Sequence, residues 1–129
     1  MRKNIYLLIL PLLLILASCQ KNEYVVPNRT ILTTIYQTDW KTNNGGKTLF
    51  ASIDMPEIDS YFNDHGGVLV YASFGDRVYE QIPEVYEGIS YSYTHQSGLI
   101  QIEIQNSDGL ASVTAPGTMD VKIVLVESN

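Results

Sequence analysis

Apolar and polar residues alternate in several segments of the chain. The clearest are residues 48–55, 89–94, 99–105 and 119–126, where every second side chain is apolar. Because successive side chains of a strand point to opposite faces, this period of two predicts strands with one buried face. The sequence therefore predicts a sheet protein whose core is built from alternate residues.

Three further segments complete the strand prediction: residues 30–40, 68–74 and 77–82. Residues 68–74 are apolar on both faces, which is typical of a central strand in a sheet or of an interior strand in a sandwich. Turn-forming residues separate successive segments, so the simplest pairing is by hairpins. We expect 30–40 to pair with 48–55, 68–74 with 77–82, and 89–94 with 99–105.

A helical spacing interrupts the strands between Pro56 and His65. Ile58, Tyr61 and Phe62 lie at positions i, i+3 and i+4, and Gly66 follows. This spacing predicts a helix of one or two turns, which is too short to be stable without packing on the core.

Short strands separated by turns every ten or so residues indicate an all-β fold. The prediction is a mainly β protein with a single antiparallel β-sandwich, immunoglobulin-like or jelly-roll-like, of seven or eight strands and one short helical turn. This domain covers residues 30–129.

The N-terminus has a different pattern. Arg2 and Lys3 precede the apolar run 5–17, which is interrupted only by Pro11. Thirteen helical residues extend about 20 Å, less than the roughly 30 Å of a bilayer core. This layout predicts a secretory signal peptide over residues 1–18.

The end of that signal, Leu16-Ala17-Ser18-Cys19, resembles the lipobox of bacterial lipoproteins. The resemblance implies cleavage before Cys19 and attachment of acyl chains, such as palmitate, to Cys19. Several acyl chains hold a protein firmly in a bilayer. Residues 19–29 would form a flexible tether. The alternative is an ordinary secretory signal followed by a cysteine without a role.

Removal of residues 1–18 leaves 111 residues, of which six are basic and fourteen acidic, so the net charge is near −8. This charge disfavours nucleic acid and anionic lipid surfaces as partners. It is also a common means of solubility.

Residues able to carry out catalysis or bind metals are sparse. His65 and His95 have no metal-ligand spacing, so we expect neither to bind a metal. The acids Asp54, Glu57 and Asp59, with Asp64, could offer oxygen ligands to calcium or a carboxylate pair to a glycan-active enzyme. The acids at 80, 84 and 87 are expected to be solvated. We therefore predict no enzymatic activity, no metal and no cofactor.

Aromatic residues are the better candidates for binding. Trp40, Tyr79 and Tyr86, with Tyr91 and Tyr93, could form a platform for a ligand, because Tyr and Trp combine an apolar face with a polar edge. The alternative is that Tyr91, Tyr93 and Trp40 fill the core.

The ordered elements of residues 30–126 resemble a set of small secreted proteins of Bacteroidetes. The matching residues are Asp39-Trp40, the turn from Ile58 to Gly66, Gly67-Val68-Leu69-Val70-Tyr71, Ile82-Pro83, Tyr91-Ser92-Tyr93 and Val121-Lys122-Ile123-Val124. Where that set has an aromatic residue after the proline, this chain has Glu84. The resemblance implies a β-sandwich in the cell envelope and gives no activity.

The leading hypothesis is a non-enzymatic envelope lipoprotein, held by its acylated Cys19 in what we expect to be the outer membrane, on its periplasmic or its surface face. Its domain would bind an envelope protein or a glycan, or serve as a structural accessory module. The alternatives are a subunit of a fimbria or other surface polymer, and a small carboxylate-dependent glycan-active enzyme.

Overall fold

Eight strands, one α-helix and one 3-10 turn follow one another in a computed structural model that describes residues 27–128. The signal peptide and Cys19 lie outside the described residues. The strands are β1 (Arg29–Ile35), β2 (Thr48–Met55), β3 (Gly67–Ser73), β4 (Tyr79–Ile82), β5 (Glu84–Tyr86), β6 (Ile89–Gln96), β7 (Gly98–Asn106) and β8 (Met119–Val126). The 3-10 turn is Gln37–Asp39, and the helix, α1, is Ser60–His65.

The strands form two antiparallel sheets of four. One sheet has the order β1-β8-β3-β4 and the other the order β2-β7-β6-β5. Side chains from both sheets share one core. The predicted mainly β sandwich with one short helix is confirmed.

The inner strands β7 and β8 supply the most deeply buried part of the core. Ile100, Ile102 and Ile104 of β7 have no exposed surface, and neither have Val121, Ile123 and Leu125 of β8. These are the alternate positions that the sequence pattern assigned to one face of each strand. Each such aliphatic side chain contributes about 1.5–3 kcal/mol through burial.

Two predicted hairpins are present and one prediction was wrong. β6 pairs with β7, and β3 pairs with β4. β1 and β2 do not pair, because β1 lies beside β8 and β2 beside β7. β1 ends at Ile35, five residues before the predicted end. The segment that connects β1 with β2 in the other sheet contains the 3-10 turn and the buried Trp40.

Helix α1 lies within the predicted segment and begins after Asp59. The Asp59 carboxylate accepts a hydrogen bond from the Phe62 backbone N–H at 2.7 Å, which is an N-cap interaction. Phe62 is buried and fastens the helix to the core. The short helix is thus stabilised by its cap and by packing, as its length requires.

Among residues 27–128, one side-chain hydrogen bond joins a strand of one sheet to a strand of the other. The Tyr93 hydroxyl of β6 donates to the Val68 carbonyl of β3. Burial raises the pKa of the Tyr93 hydroxyl, so it keeps its proton and remains a donor.

Replacement of Ile102 by alanine tests the importance of the β7–β8 layer. Ile102→Ala removes a fully buried side chain and leaves a cavity, so we expect the free energy of unfolding to fall by about 2–5 kcal/mol. Gln105→Ala on the exposed face of the same strand is the control, with a change within about 0.5 kcal/mol. Urea denaturation measures both, and equal losses would contradict the assignment of the core.

Candidate functional site

The residues predicted to bind a ligand do not form one platform. Trp40 is 9% exposed and belongs to the core, and Tyr91 is 3% exposed. Tyr79 lies on the outer face of the β1-β8-β3-β4 sheet. There the Lys122 ammonium is 4.6 Å from the centre of the Tyr79 ring and equally far from that of Tyr71. Of the three residues predicted as ligand-binding, Tyr86 differs from the buried Trp40 because its ring lines an open cleft.

Tyr86 belongs to an aromatic cluster that joins the two sheets. Its ring stacks on that of Phe74, with centroids 4.0 Å apart and planes within 3° of parallel. Phe74 also meets the Tyr91 ring edge-on, at 4.9 Å and 65°. Phe74 follows β3 in one sheet, whereas Tyr86 and Tyr91 belong to β5 and β6 of the other. Such geometries stabilise aromatic pairs beyond the burial of their area, by about 0.5–1.5 kcal/mol.

Two open clefts are each lined by both rings of the Phe74–Tyr86 pair. The first cleft has a volume of about 360 Å³ and is also lined by Glu87, Ile89, Tyr91 and residues 116–119. The second has a volume of about 270 Å³ and is also lined by Gly75, Asp76, Val78 and Glu80. We call the ring pair with its two clefts the Phe74–Tyr86 site.

Two glutamates on neighbouring strands of different sheets face each other beside this site. Glu80 of β4 is paired with the buried Ala72, and Glu84 of β5 is paired with the buried Tyr91. Directly paired residues of antiparallel strands lie on the same face, so both glutamates point into the space between the sheets. The prediction that these acids are simply solvated is therefore wrong for Glu84, whose Oε1 atom has no accessible surface.

The surroundings of Glu84 favour its protonated form. Burial raises the pKa of the Glu84 carboxyl, and the charge of Glu80 and a hydrogen bond to Glu80 raise it further. Within residues 27–128, Glu84 Oε1 has no hydrogen-bond partner. A protonated Glu84 can donate to Glu80, whereas two ionised carboxylates there repel each other.

The electrostatic character of the site is negative. No Lys, Arg or His lines either cleft, whereas Asp76, Glu80 and Glu87 do. The charge of Glu87 raises the pKa of the Tyr86 hydroxyl, and burial raises that of Tyr91. Both phenols therefore stay neutral and can donate hydrogen bonds. The site suits a neutral or positively charged ligand with hydroxyl or amino groups.

The acids predicted as a second candidate site do not line either cleft. Asp59 caps helix α1, and Asp64 accepts a 3.5 Å hydrogen bond from the Asn63 side chain. Asp54 is exposed on β2. The described part of the chain contains no group of three or more His, Cys, Asp or Glu side chains placed to hold a metal ion.

Both histidines take part in local hydrogen bonds. His65 Nδ1 lies 2.9 Å from the Tyr61 carbonyl, and the His65 and Tyr61 rings stack at 4.2 Å. His95 Nδ1 lies 2.9 Å from Asn63 Oδ1, which connects β6 to helix α1. These contacts give each ring a structural role.

The sequence pattern predicted a strand that includes Phe74 but did not identify Phe74 as part of a site, and it did not predict strand β5. The structure shows the same alternation in β5 as in β4. In β5 the half-buried Glu84 and Tyr86 flank the exposed Val85, and in β4 Glu80 and Ile82 flank the exposed Gln81. Pro83 lies between the two short runs and ends β4. Nothing in the local pattern indicates that the chain changes sheets there.

No family model matches the chain, and neither a curated protein nor a solved structure is significantly similar to it. Within residues 27–128, no helix combines the length and the apolar composition needed to cross a membrane.

The Glu80–Glu84 pair predicts a pH dependence of stability. The pKa of Glu84 is raised in the folded state, so its favourable contribution is present below the unfolded-state pKa of about 4.5 and is lost as pH rises through the folded-state pKa. Glu84→Gln removes the charge and keeps a hydrogen-bond donor. We expect this variant to unfold at a higher temperature than the native chain at pH 7, and to lose the advantage at pH 4.

Thermal unfolding between pH 4 and pH 8 measures this difference. Asp54→Asn removes one negative charge from an exposed position of β2 and is the control for net charge. If both variants shift the unfolding temperature alike at every pH, the effect belongs to net charge and the interpretation of the Glu80–Glu84 pair is wrong.

Proposed function

We propose that this chain is a non-enzymatic envelope lipoprotein whose β-sandwich binds a glycan at the Phe74–Tyr86 site. The single observation that supports glycan binding is the stacked ring pair that lines two open clefts, each of which also has at least one carboxylate in its lining. The apolar C–H face of a sugar packs on an aromatic ring, and its hydroxyls bond to carboxylates and phenols.

The size and charge of the clefts favour a particular class of glycan. Two clefts of about 360 and 270 Å³ that share one ring pair offer room for neighbouring sugar units of an oligosaccharide. A protein partner needs a contact surface of about 800 Å² on each side, which is a broader surface than these clefts. Because the lining is acidic, the preferred glycan is neutral or carries amino groups, and uronate or sulfated glycans are disfavoured.

Membrane attachment is supported by the sequence around Cys19. Ten residues, 19–28, connect the proposed lipid anchor with β1, which begins at Arg29. Fully extended, ten residues span at most about 35 Å. The anchor would lie in the outer membrane, and the domain would lie within about 35 Å of the bilayer surface. The glycan would then be one that is present within that distance of the membrane.

Replacement of Cys19 tests the anchor. Cys19→Ser removes the thiol that would carry the lipid, so we expect the protein to move from the membrane fraction to the soluble fraction and to lose a metabolic palmitate label. The double variant Cys19→Ser, Ser107→Cys restores a thiol at an exposed turn and is the control, with no return to the membrane. A Cys19→Ser protein that stays in the membrane fraction contradicts the proposal.

Titration calorimetry with a panel of soluble oligosaccharides tests the binding site. We expect micromolar binding of a neutral or amino-bearing member and none of oligogalacturonate. Tyr86→Ala should weaken that binding at least tenfold, since the ring forms the wall of both clefts. Tyr79→Ala, which changes a half-buried tyrosine on the outer face of the other sheet, is the matched control.

Thermal unfolding must first show that both tyrosine variants are folded. Loss of binding in Tyr79→Ala, with binding retained in Tyr86→Ala, would move the site to the outer face near Lys122. Absence of binding to every member of the panel at micromolar concentration would count against glycan recognition.

A second candidate function is a subunit of a surface polymer. The observation that favours it is β1, an edge strand that pairs on one side only and follows directly on the N-terminal segment. Free edges of this kind accept a strand from another chain.

A further inference from the structure

We propose that two copies of this chain associate through their β1 strands, with Leu32 of one copy beside Leu32 of the other. This inference does not depend on glycan binding. It concerns the four edge strands of the two sheets. Among residues 27–128, only β1 is both a long edge strand and without a partner along its outer edge.

The other three edges are short or partly paired. β4 has four residues and β5 has three. The outer edge of β2 is engaged by Lys41, which exchanges two backbone hydrogen bonds with Phe50, at 2.9 and 2.8 Å. β1 has seven residues and pairs with β8 along its whole length. Within residues 27–128, the other edge of β1 has no backbone hydrogen bond.

The composition of β1 gives this edge no protection. Proteins commonly protect edge strands with proline, lysine, inward-pointing charges or bulges. From Thr30 to Ile35 the strand contains only Thr, Ile and Leu, which are apolar or uncharged and mostly favour strands. Leu32 at its centre is 66% exposed, and Tyr36 just beyond its end is 57% exposed. The free edge therefore combines unpaired backbone with exposed apolar side chains.

Charge makes a second copy a suitable partner for this edge. The chain as a whole is acidic, yet residues 27–36 contain one basic residue and no acidic one. Two acids of the neighbouring segment lie beside β1: Glu127 is paired with Arg29 at 3.1 Å, and Asp120 accepts a hydrogen bond from Thr34 at 2.9 Å. Because β1 itself contains no acidic residue, two β1 edges meet less repulsion than two faces that carry acidic residues of their own.

Symmetry fixes the arrangement. If two identical seven-residue strands pair antiparallel along their full length, the twofold axis lies at the central residue, which is Leu32. Residues 31 and 33, 30 and 34, and 29 and 35 then pair across the axis, and the two sheets become one sheet of eight strands. Such an interface uses the same patch twice and closes, so it gives a dimer and no polymer.

The segment outside the structure is compatible with this dimer. In the antiparallel pair, the two N-terminal ends of β1 are about six residues apart along the strands, roughly 20 Å. If Cys19 carries the proposed anchor, both tethers can reach one membrane. Anchoring also confines the copies to a surface and raises their effective concentration.

A charge exchange at position 32 tests the proposal in the full-length, membrane-expressed chain released with a mild detergent. Native mass spectrometry should find two copies for the native protein. Leu32→Lys and Leu32→Glu each place like charges across the axis, so the dimer fraction should fall at least tenfold. Co-expression of the two variants with different tags should restore a mixed dimer.

Val85→Lys, at a position 61% exposed on edge strand β5, is the matched control and should leave the native dimer intact. A single-copy native protein, a series of assemblies larger than two, or a dimer unaffected by both charges at position 32 would each overturn the proposal. The series of larger assemblies would instead support the surface polymer.

A cysteine at the same position provides a second measurement in case the charged variants fold poorly. In Leu32→Cys, a short bismaleimide should join two copies in intact membranes, because the axis brings the two thiols together. The native chain, whose only cysteine is Cys19, gives the background, and Leu110→Cys at a position 77% exposed is the matched control. Cross-linking of Leu32→Cys no stronger than that of Leu110→Cys would overturn the proposal.

Discussion

The packing of β7 against β8 is the interaction on which the rest of the structure depends. Their inward side chains have no exposed surface, and each strand is flanked by two others in its own sheet. Residues 20–129 contain no cysteine, so no disulfide within them can replace this packing. Strands β1, β3, β2 and β6 are positioned by their ladders with these two strands, and every other element is positioned by those four.

The functional candidate arises where this regular packing ends. β4 and β5 are short, and Pro83 between them interrupts the ladder of the first sheet just before the chain enters the second. The core is therefore not closed by aliphatic side chains at this side. Phe74 and Tyr86 lie there as a stacked pair, and Tyr91 meets Phe74 edge-on. Glu80 and Glu84 reach the same region from the two sheets. The Phe74–Tyr86 site thus forms where the chain passes from the first sheet to the second between β4 and β5.

The sequence pattern predicted local elements well and long-range pairing poorly. Alternation at residues 99–105 and 119–126 was sufficient to identify β7 and β8, because burial of one face is a property of each strand alone. The pairing of β1 with β8 joins the two ends of the domain, and no local signal encodes it. The same limit explains the site. Tyr86 was named for its chemistry, but its stacking on Phe74, twelve residues away, depends on the change of sheet at Pro83.

The two sides of the sandwich differ in the length of their edge strands and in what lies beside those edges. On one side, the edge strands β4 and β5 are consecutive in the chain and have only four and three residues, and the two clefts lie at that side. On the other, β1 and β2 belong to different sheets and are separated by the 3-10 turn and Trp40. Their edges are therefore independent, and only β2 has a bridge from the connecting segment, at Lys41. The proposed ligand and the proposed second copy would not compete, because the Phe74–Tyr86 site and β1 share no residue.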